Sequence, residues 1–190
     1  MIKLKLLLEV NSSILYHGRK RKHSKYFDIS TVGDKEANDK EGPGIYLTTD
    51  KDDARGYAVK GGVLLTVENH LKTVVKENDS INKYKNIALK LIKVAPKLKD
   101  TLTNWGYDPP YTSYNEVYNN VVDSMIDDNA KDTFLNIWYD LYYNQGESVL
   151  FVKNMAKFGI DGLAINRTGA VHFVVYNPSK LKIISIEDVK

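Results

Sequence analysis

The sequence predicts a single α+β domain spanning residues 1–190, and three observations lead there. Short β-branched and apolar runs gather toward both ends of the chain. Apolar residues recur at helical spacing through the middle. A chain of 190 residues is long enough for one substantial core and short for two. A sheet built from such a chain must pair segments from its two ends.

The elements follow in order. Ser13 to Tyr16 is predicted as a short strand and Gly44 to Thr48 as another, entered through the turn-forming Gly42-Pro43-Gly44. Asp50 then caps a helix with Asp52 and Asp53 in its first turn and Ala54, Tyr57 and Ala58 on one face, stopped by Gly61-Gly62. Val63 to Glu68 and Leu71 to Val75 read as two strands separated by the turn-like Asn69-His70.

From Ser80 the period changes. Ile81, Tyr84, Ile87, Ala88, Leu91 and Ile92 recur at helical spacing until Pro96, and a loop is expected from Asp100 to Thr112. Ser113-Tyr114-Asn115-Glu116 is a capping box opening a helix that buries Val117, Val121, Val122 and Met125. A further helix runs from Asp132 to Tyr143, whose stripe of Phe134, Leu135, Trp138, Leu141 and Tyr142 reads as core packing rather than a partner surface. Together these form a helical insertion at about 78–146, expected to select the partner.

Ser148 to Phe158 is another amphipathic helix, stopped by Gly159. Leu163 to Ile165, Val171 to Tyr176 and Leu181 to Ser185 then form three β-type runs, divided by Arg167-Thr168-Gly169 and Asn177-Pro178-Ser179 and expected to form a meander.

Composition narrows the chemistry. Hydrophobic content of 43% and charged content of 27% are those of an ordinary folded domain. Net charge is only +3, with the basic residues concentrated in Arg19-Lys20-Arg21-Lys22-His23-Ser24-Lys25. Such a run is either a solvated loop or a docking strip for phosphates, nucleic acid or an acidic partner. The absence of cysteine excludes disulfides, thiol nucleophiles and Cys-type zinc sites. His17, His23, His70 and His172 lack the short spacings of zinc ligands, so no metal is expected. The apolar run Leu6-Leu7-Leu8 ends at Glu9, far short of a signal-peptide core, and no stretch approaches the ~20 apolar residues of a membrane span. The expected site of action is the cytoplasm, that of a host cell included, with no membrane partner.

Several residues offer binding chemistry. His17 ends a short strand and precedes Gly18, so backbone can approach a ligand there while the imidazole offers a donor or an acceptor. Tyr46, on a strand, and Tyr57, on the next helix, can flank a flat ring, although the chain's 13 tyrosines also serve as core residues.

Three separated pieces carry a resemblance: Leu15-Tyr16-His17-Gly18, Gly42-Pro43-Gly44-Ile45-Tyr46-Leu47-Thr48 and Val171-His172-Phe173-Val174-Val175-Tyr176-Asn177. Together they resemble the NAD-binding core of the ADP-ribosyltransferases. The branch is the poly(ADP-ribose) polymerase and diphtheria-toxin-like one, with its small transferase domains of phage and bacterial mobile-element proteins. The resemblance covers residues 13 to 67 and 147 to 186 and implies a split antiparallel β-sheet. It implies that His17 binds a ribose hydroxyl on the adenosine side of NAD and that Gly18 pairs through its backbone with the nicotinamide carboxamide. Tyr46 becomes the middle member of the family's His-Tyr-Glu triad, with Thr48 beside it in the NAD site, and Tyr57 the second aromatic flanking nicotinamide. Arg19 stands where a small hydroxyl residue often follows the glycine, and its guanidinium suits the pyrophosphate.

The third piece departs from the pattern, because His172 occupies the position of the catalytic glutamate. Cleaving the nicotinamide–ribose bond leaves a cationic ribose that a carboxylate stabilises, and Arg167 through Tyr176 contain no acid at all. The nearest acids in sequence are Asp161, expected to shape a turn, and Glu187. The resemblance therefore implies an NAD-dependent mono-ADP-ribosyltransferase acting on a macromolecular acceptor, a protein in the first instance. His172 would then hold a ribose hydroxyl or take the acceptor's proton. A catalytically weak or inactive NAD/ADP-ribose-binding module is one alternative. An RNA-directed phosphotransferase of the same broad fold, using Arg19 to Lys25, is the other.

Overall fold

A computed structural model describes residues 13–20, 26–30, 41–104, 123 and 125–190. Residues 105–112 of the expected loop, residues 113–122 and 124 of the helix expected after Ser113, and residues 21–25 of the basic run lie outside the described residues, while Met125 of that helix is buried as expected. The fold is mixed α+β around a mostly antiparallel seven-stranded sheet. The strands are β1 (Ile14–Arg19), β2 (Ile45–Thr48), β3 (Val63–Asn69), β4 (Val74–Lys76), β5 (Gly162–Arg167), β6 (Ala170–Val175) and β7 (Leu181–Asp188). The described helices are α1 (Lys51–Ala58), α2 (Lys85–Lys93), α3 (Leu98–Asn104), α4 (Ala130–Leu141) and α5 (Ser148–Lys157).

Local chemistry explains the helix starts. The Asp50 carboxylate accepts from the backbone N–H groups of Asp52 and Asp53 at 2.8 and 2.9 Å, satisfying two donors that α1 leaves open. Asn129 does the same for α4 through the N–H of Asp132. The period that begins at Ile81 is split between a 3₁₀ turn, Ile81–Lys83, and α2, yet Ile81, Tyr84, Ala88, Leu91 and Ile92 are all buried as the spacing predicts. The expected loop after Asp100 is shortened, because Leu98, Thr101 and Leu102 present a buried face and coil into α3.

The strand order is β4-β5-β6-β2-β1-β3-β7. β1 pairs with β3 along its whole length, from Ile14–Glu68 to Arg19–Val63, whereas β1 and β2 meet at the single pair Tyr16–Thr48. The sheet is thus continuous but pinched between β4-β5-β6-β2 and β1-β3-β7.

One expected pairing is corrected. The closing strands do not form a meander: β6 takes β2 as its second neighbour, matching Val175 and Phe173 to Ile45 and Leu47, and β7 crosses to the far edge to pair with β3. The segment after Asn69 does not pair with β3. The carboxylate of Asp161 accepts from the N–H groups of Lys72 and Thr73 at 2.8 and 3.1 Å and draws that segment to the opposite edge, where β4 runs parallel to β5.

Two apolar clusters cover the two faces. On one, Leu163, Ile165 and Val174 pack under α2, α4 and α5, with Phe134, Trp138, Leu141 and Tyr142 among the buried residues, so the aromatic stripe is core. On the other, Leu15, Leu65 and Val67 from one side of the pinch share a cluster with Ile45, Leu47 and Phe173 from the other. α1 packs on β1 at Gly18, where any Cβ would collide with the Ala54 carbonyl; only glycine permits that approach.

Candidate functional site at the sheet pinch

The pinch gives His17 its place. An antiparallel ladder continuing from Tyr16–Thr48 would set Gly18 opposite Tyr46, but pairing stops there and leaves the Tyr46 carbonyl to find another donor. That donor is the imidazole: Nδ1 of His17 lies 2.5 Å from the Tyr46 carbonyl oxygen. Because a carbonyl only accepts, the proton sits on Nδ1 and Nε2 keeps its lone pair. Burial pushes the imidazole down to about 4, the Arg19 charge adds to this, and the bond to Tyr46 opposes both, so His17 is neutral near pH 7. Phe27 meets the ring edge-on at 5.4 Å and carries the Arg19 guanidinium 4.8 Å above its own face.

Tyr46 lies opposite Val174, its ring packed against the helical cluster and its hydroxyl donating to the Gly42 carbonyl. Thr48 is buried between Tyr16 and His172, with its hydroxyl oxygen accepting from the Asp50 N–H at 3.2 Å, which ties β2 to the start of α1. Tyr57 is 60% exposed on α1, one turn after Asp53 and on the same stripe.

His172 is flanked by acids that the sequence did not single out. Its Nε2 lies 2.8 Å from Oδ2 of Asp53 and its Nδ1 lies 3.9 Å from Oε2 of Glu41, whose other oxygen is held by Arg167. Asp53 reaches His172 because Ala54 and Ala58 turn α1 onto β1; Asp52, its neighbour, pairs with Arg55 instead. Nothing in the spacing distinguishes the two aspartates, and Glu41 carried no signal beyond its place next to the Gly-Pro-Gly turn.

The acids nearest in sequence are occupied elsewhere. Besides binding Lys72 and Thr73, Asp161 accepts from the Asn177 side-chain amide at 3.1 Å, so its carboxylate ties together segments distant in sequence. Glu187 pairs with Lys51 at 2.9 Å and Arg55 at 3.1 Å, and those bonds hold its carboxyl below the usual range.

The structure therefore gathers His17, Gly18, Tyr46, Thr48 and His172 at one pinch, but from two faces. Register pairs His17 with Leu65 of one cluster and His172 with Ile165 of the other, so the imidazoles leave opposite sides of the sheet. A cavity of about 410 Å³ opens beyond Phe27, bounded also by Tyr26, Pro178, Leu181 and Ile183, and none of the expected site residues lines it. Among the described residues no His, Asp and Glu cluster is suited to a metal ion, and no helix is long and apolar enough to cross a membrane. Compared with protein-family models, curated proteins and solved structures, the chain matches none.

Proposed function

We propose that the chain is a mono-ADP-ribosyltransferase that takes NAD as substrate and modifies a macromolecule, in the first instance a protein, on an ADP-ribosyltransferase-like split sheet. The observation that carries this reading is His17. A neutral imidazole, fixed through Nδ1 to the Tyr46 carbonyl at the point where two strands part, presents an acceptor suited to a sugar hydroxyl. Arg19, two residues on along β1 and on the same face as His17, offers a guanidinium for the pyrophosphate.

In the reaction the bond from ribose C1′ to the nicotinamide nitrogen breaks, its electron pair leaves with nicotinamide, and an acceptor lone pair closes on C1′. His172 takes the acceptor's proton on Nδ1, since Nε2–H is engaged by Asp53. Calorimetric titration with NAD and chromatographic detection of released nicotinamide test the reading together. His17→Ala is expected to weaken NAD binding about tenfold, the scale of one buried hydrogen bond. No heat of binding at millimolar NAD with the wild-type chain would end the proposal.

The absence of a carboxylate at position 172 itself favours a second reading, a non-catalytic module that binds NAD or ADP-ribose. Saturable NAD binding without nicotinamide release would establish it.

A further inference from the structure

Two features adjoin each other away from His172 and its acids: the cavity beyond Phe27 and the basic run that begins at Arg19. Arg19, Lys20, Arg21, Lys22 and Lys25 put five cations into seven residues with no acid among them, and Tyr26 and Phe27 follow directly. Tyr26 is 78% exposed, more than any other large hydrophobic residue among those described. The acid nearest in sequence, Asp28, is engaged by the Ser30 N–H at 2.8 Å.

Strand register places the cavity and the first of these cations on one side of the sheet. Leu15, His17 and Arg19 share a face of β1, and Ile183 lies on that face through its pairing with Val67, the partner of Leu15. The Arg19 guanidinium sits 4.8 Å from the centre of the Phe27 ring and donates to the Tyr26 carbonyl at 3.4 Å, so one cation fastens both aromatic residues to β1. His17 meets Phe27 edge-on as well, which makes Phe27 a fixed wall and Tyr26 the ring that a ligand can cover. At about 410 Å³ the cavity falls within the ~300–1,000 Å³ of sites for small organic groups, and Pro178, Leu181 and Ile183 complete its apolar walls.

We infer that this face binds single-stranded nucleic acid, with one unpaired base entering the cavity against Tyr26 and the backbone phosphates neutralised by the basic run. The inference does not rest on the transferase reading. A polyanion that also carries flat rings matches both features at once, since every base offers a face for stacking whatever the sequence. An acidic peptide would satisfy the charge and leave the cavity unused. A duplex would do the same, because its bases are already stacked on one another.

The test is fluorescence anisotropy of the full chain with labelled single strands of about 12 nucleotides, in separate RNA and DNA arms. The same strands annealed to their complements, and polyglutamate as an unlabelled competitor, serve as controls. The expected result is saturable binding in at least one arm, at least about tenfold tighter than to the duplex. Its logarithmic salt slope should be about −2 to −3, as three or four neutralised phosphates give at ~0.7 each. The arm that binds identifies the sugar. Tyr26→Ala should weaken binding about tenfold with the slope unchanged, and Tyr26→Trp should restore it; the exposure of this side chain keeps both variants folded. Ile183→Trp, which fills the cavity, should match Tyr26→Ala. Duplex bound as tightly as single strand, displacement by polyglutamate at equal charge, or Tyr26→Ala bound as tightly as wild type would each overturn the inference and leave a general anion strip. A wild-type chain that binds neither strand overturns it outright, whatever its behaviour toward NAD.

Discussion

Asp53 accepts a hydrogen bond from Nε2 of His172 across 2.8 Å, joining the first turn of α1 to the middle of β6. The contact links residues 119 positions apart and sets the tautomer of the imidazole, leaving Nδ1 as its basic nitrogen. The Asp–His pair thereby ties the helix packed on β1 to a strand beyond the pinch.

Cutting that tie should be measurable as a coupling. Asp53→Ala and His172→Ala are each expected to lower stability by about 1–2 kcal/mol in urea unfolding, the scale of a charge-assisted hydrogen bond. The double variant should fall short of the sum by about 1 kcal/mol. Strict additivity would show that the two side chains do not interact in solution.

His17 makes stability depend on pH. Its folded value of about 4 lies below the 6.5 of a free imidazole, so between these values the unfolded chain binds a proton that the folded one refuses. The contribution is therefore complete above pH 6.5 and drains away as pH falls toward 4, by at most roughly 3 kcal/mol. The expected NMR titration of the His17 ring has its midpoint near 4; a midpoint above 6 would contradict its burial.

Two glycines predict opposite outcomes for one substitution. At Gly18 an added methyl meets the Ala54 carbonyl and the Ala58 nitrogen, so Gly18→Ala should cost about 2–3 kcal/mol as α1 is forced off β1. At Gly56, within α1, a Cβ meets nothing within 4 Å, so Gly56→Ala should raise stability by about 0.5–1 kcal/mol through helix propensity. Thermal melts of the two variants should move in opposite directions; a shared direction would mean that α1 does not lie on β1 as described.

Much of this architecture is legible in the residues. The Asp50 cap, the stop at Gly61-Gly62 and the buried stripe of α4 are local, and local chemistry suffices to place them. Strand partners are not local. The alternation in Leu181 to Asp188 marks a strand equally well beside β6 or beside β3, and only the occupation of β6 by β2 decides between them. The acids around His172 were hidden for the same reason. Asp53 and Glu41 reach it because a helix and a turn distant in sequence converge on β6, and no spacing along the chain encodes that meeting.

The crossing of β7 to the far edge also governs when the sheet can close. β3 is complete by Asn69, yet its outer partner begins at Leu181, and β2 likewise waits for β6. Synthesis from the ribosome delivers β3 and β2 long before their mates, so assembly is a late, slow event. Until then helices α2 to α5 are the parts free to gather, and the nascent chain carries two open strand edges as its exposure to misassociation.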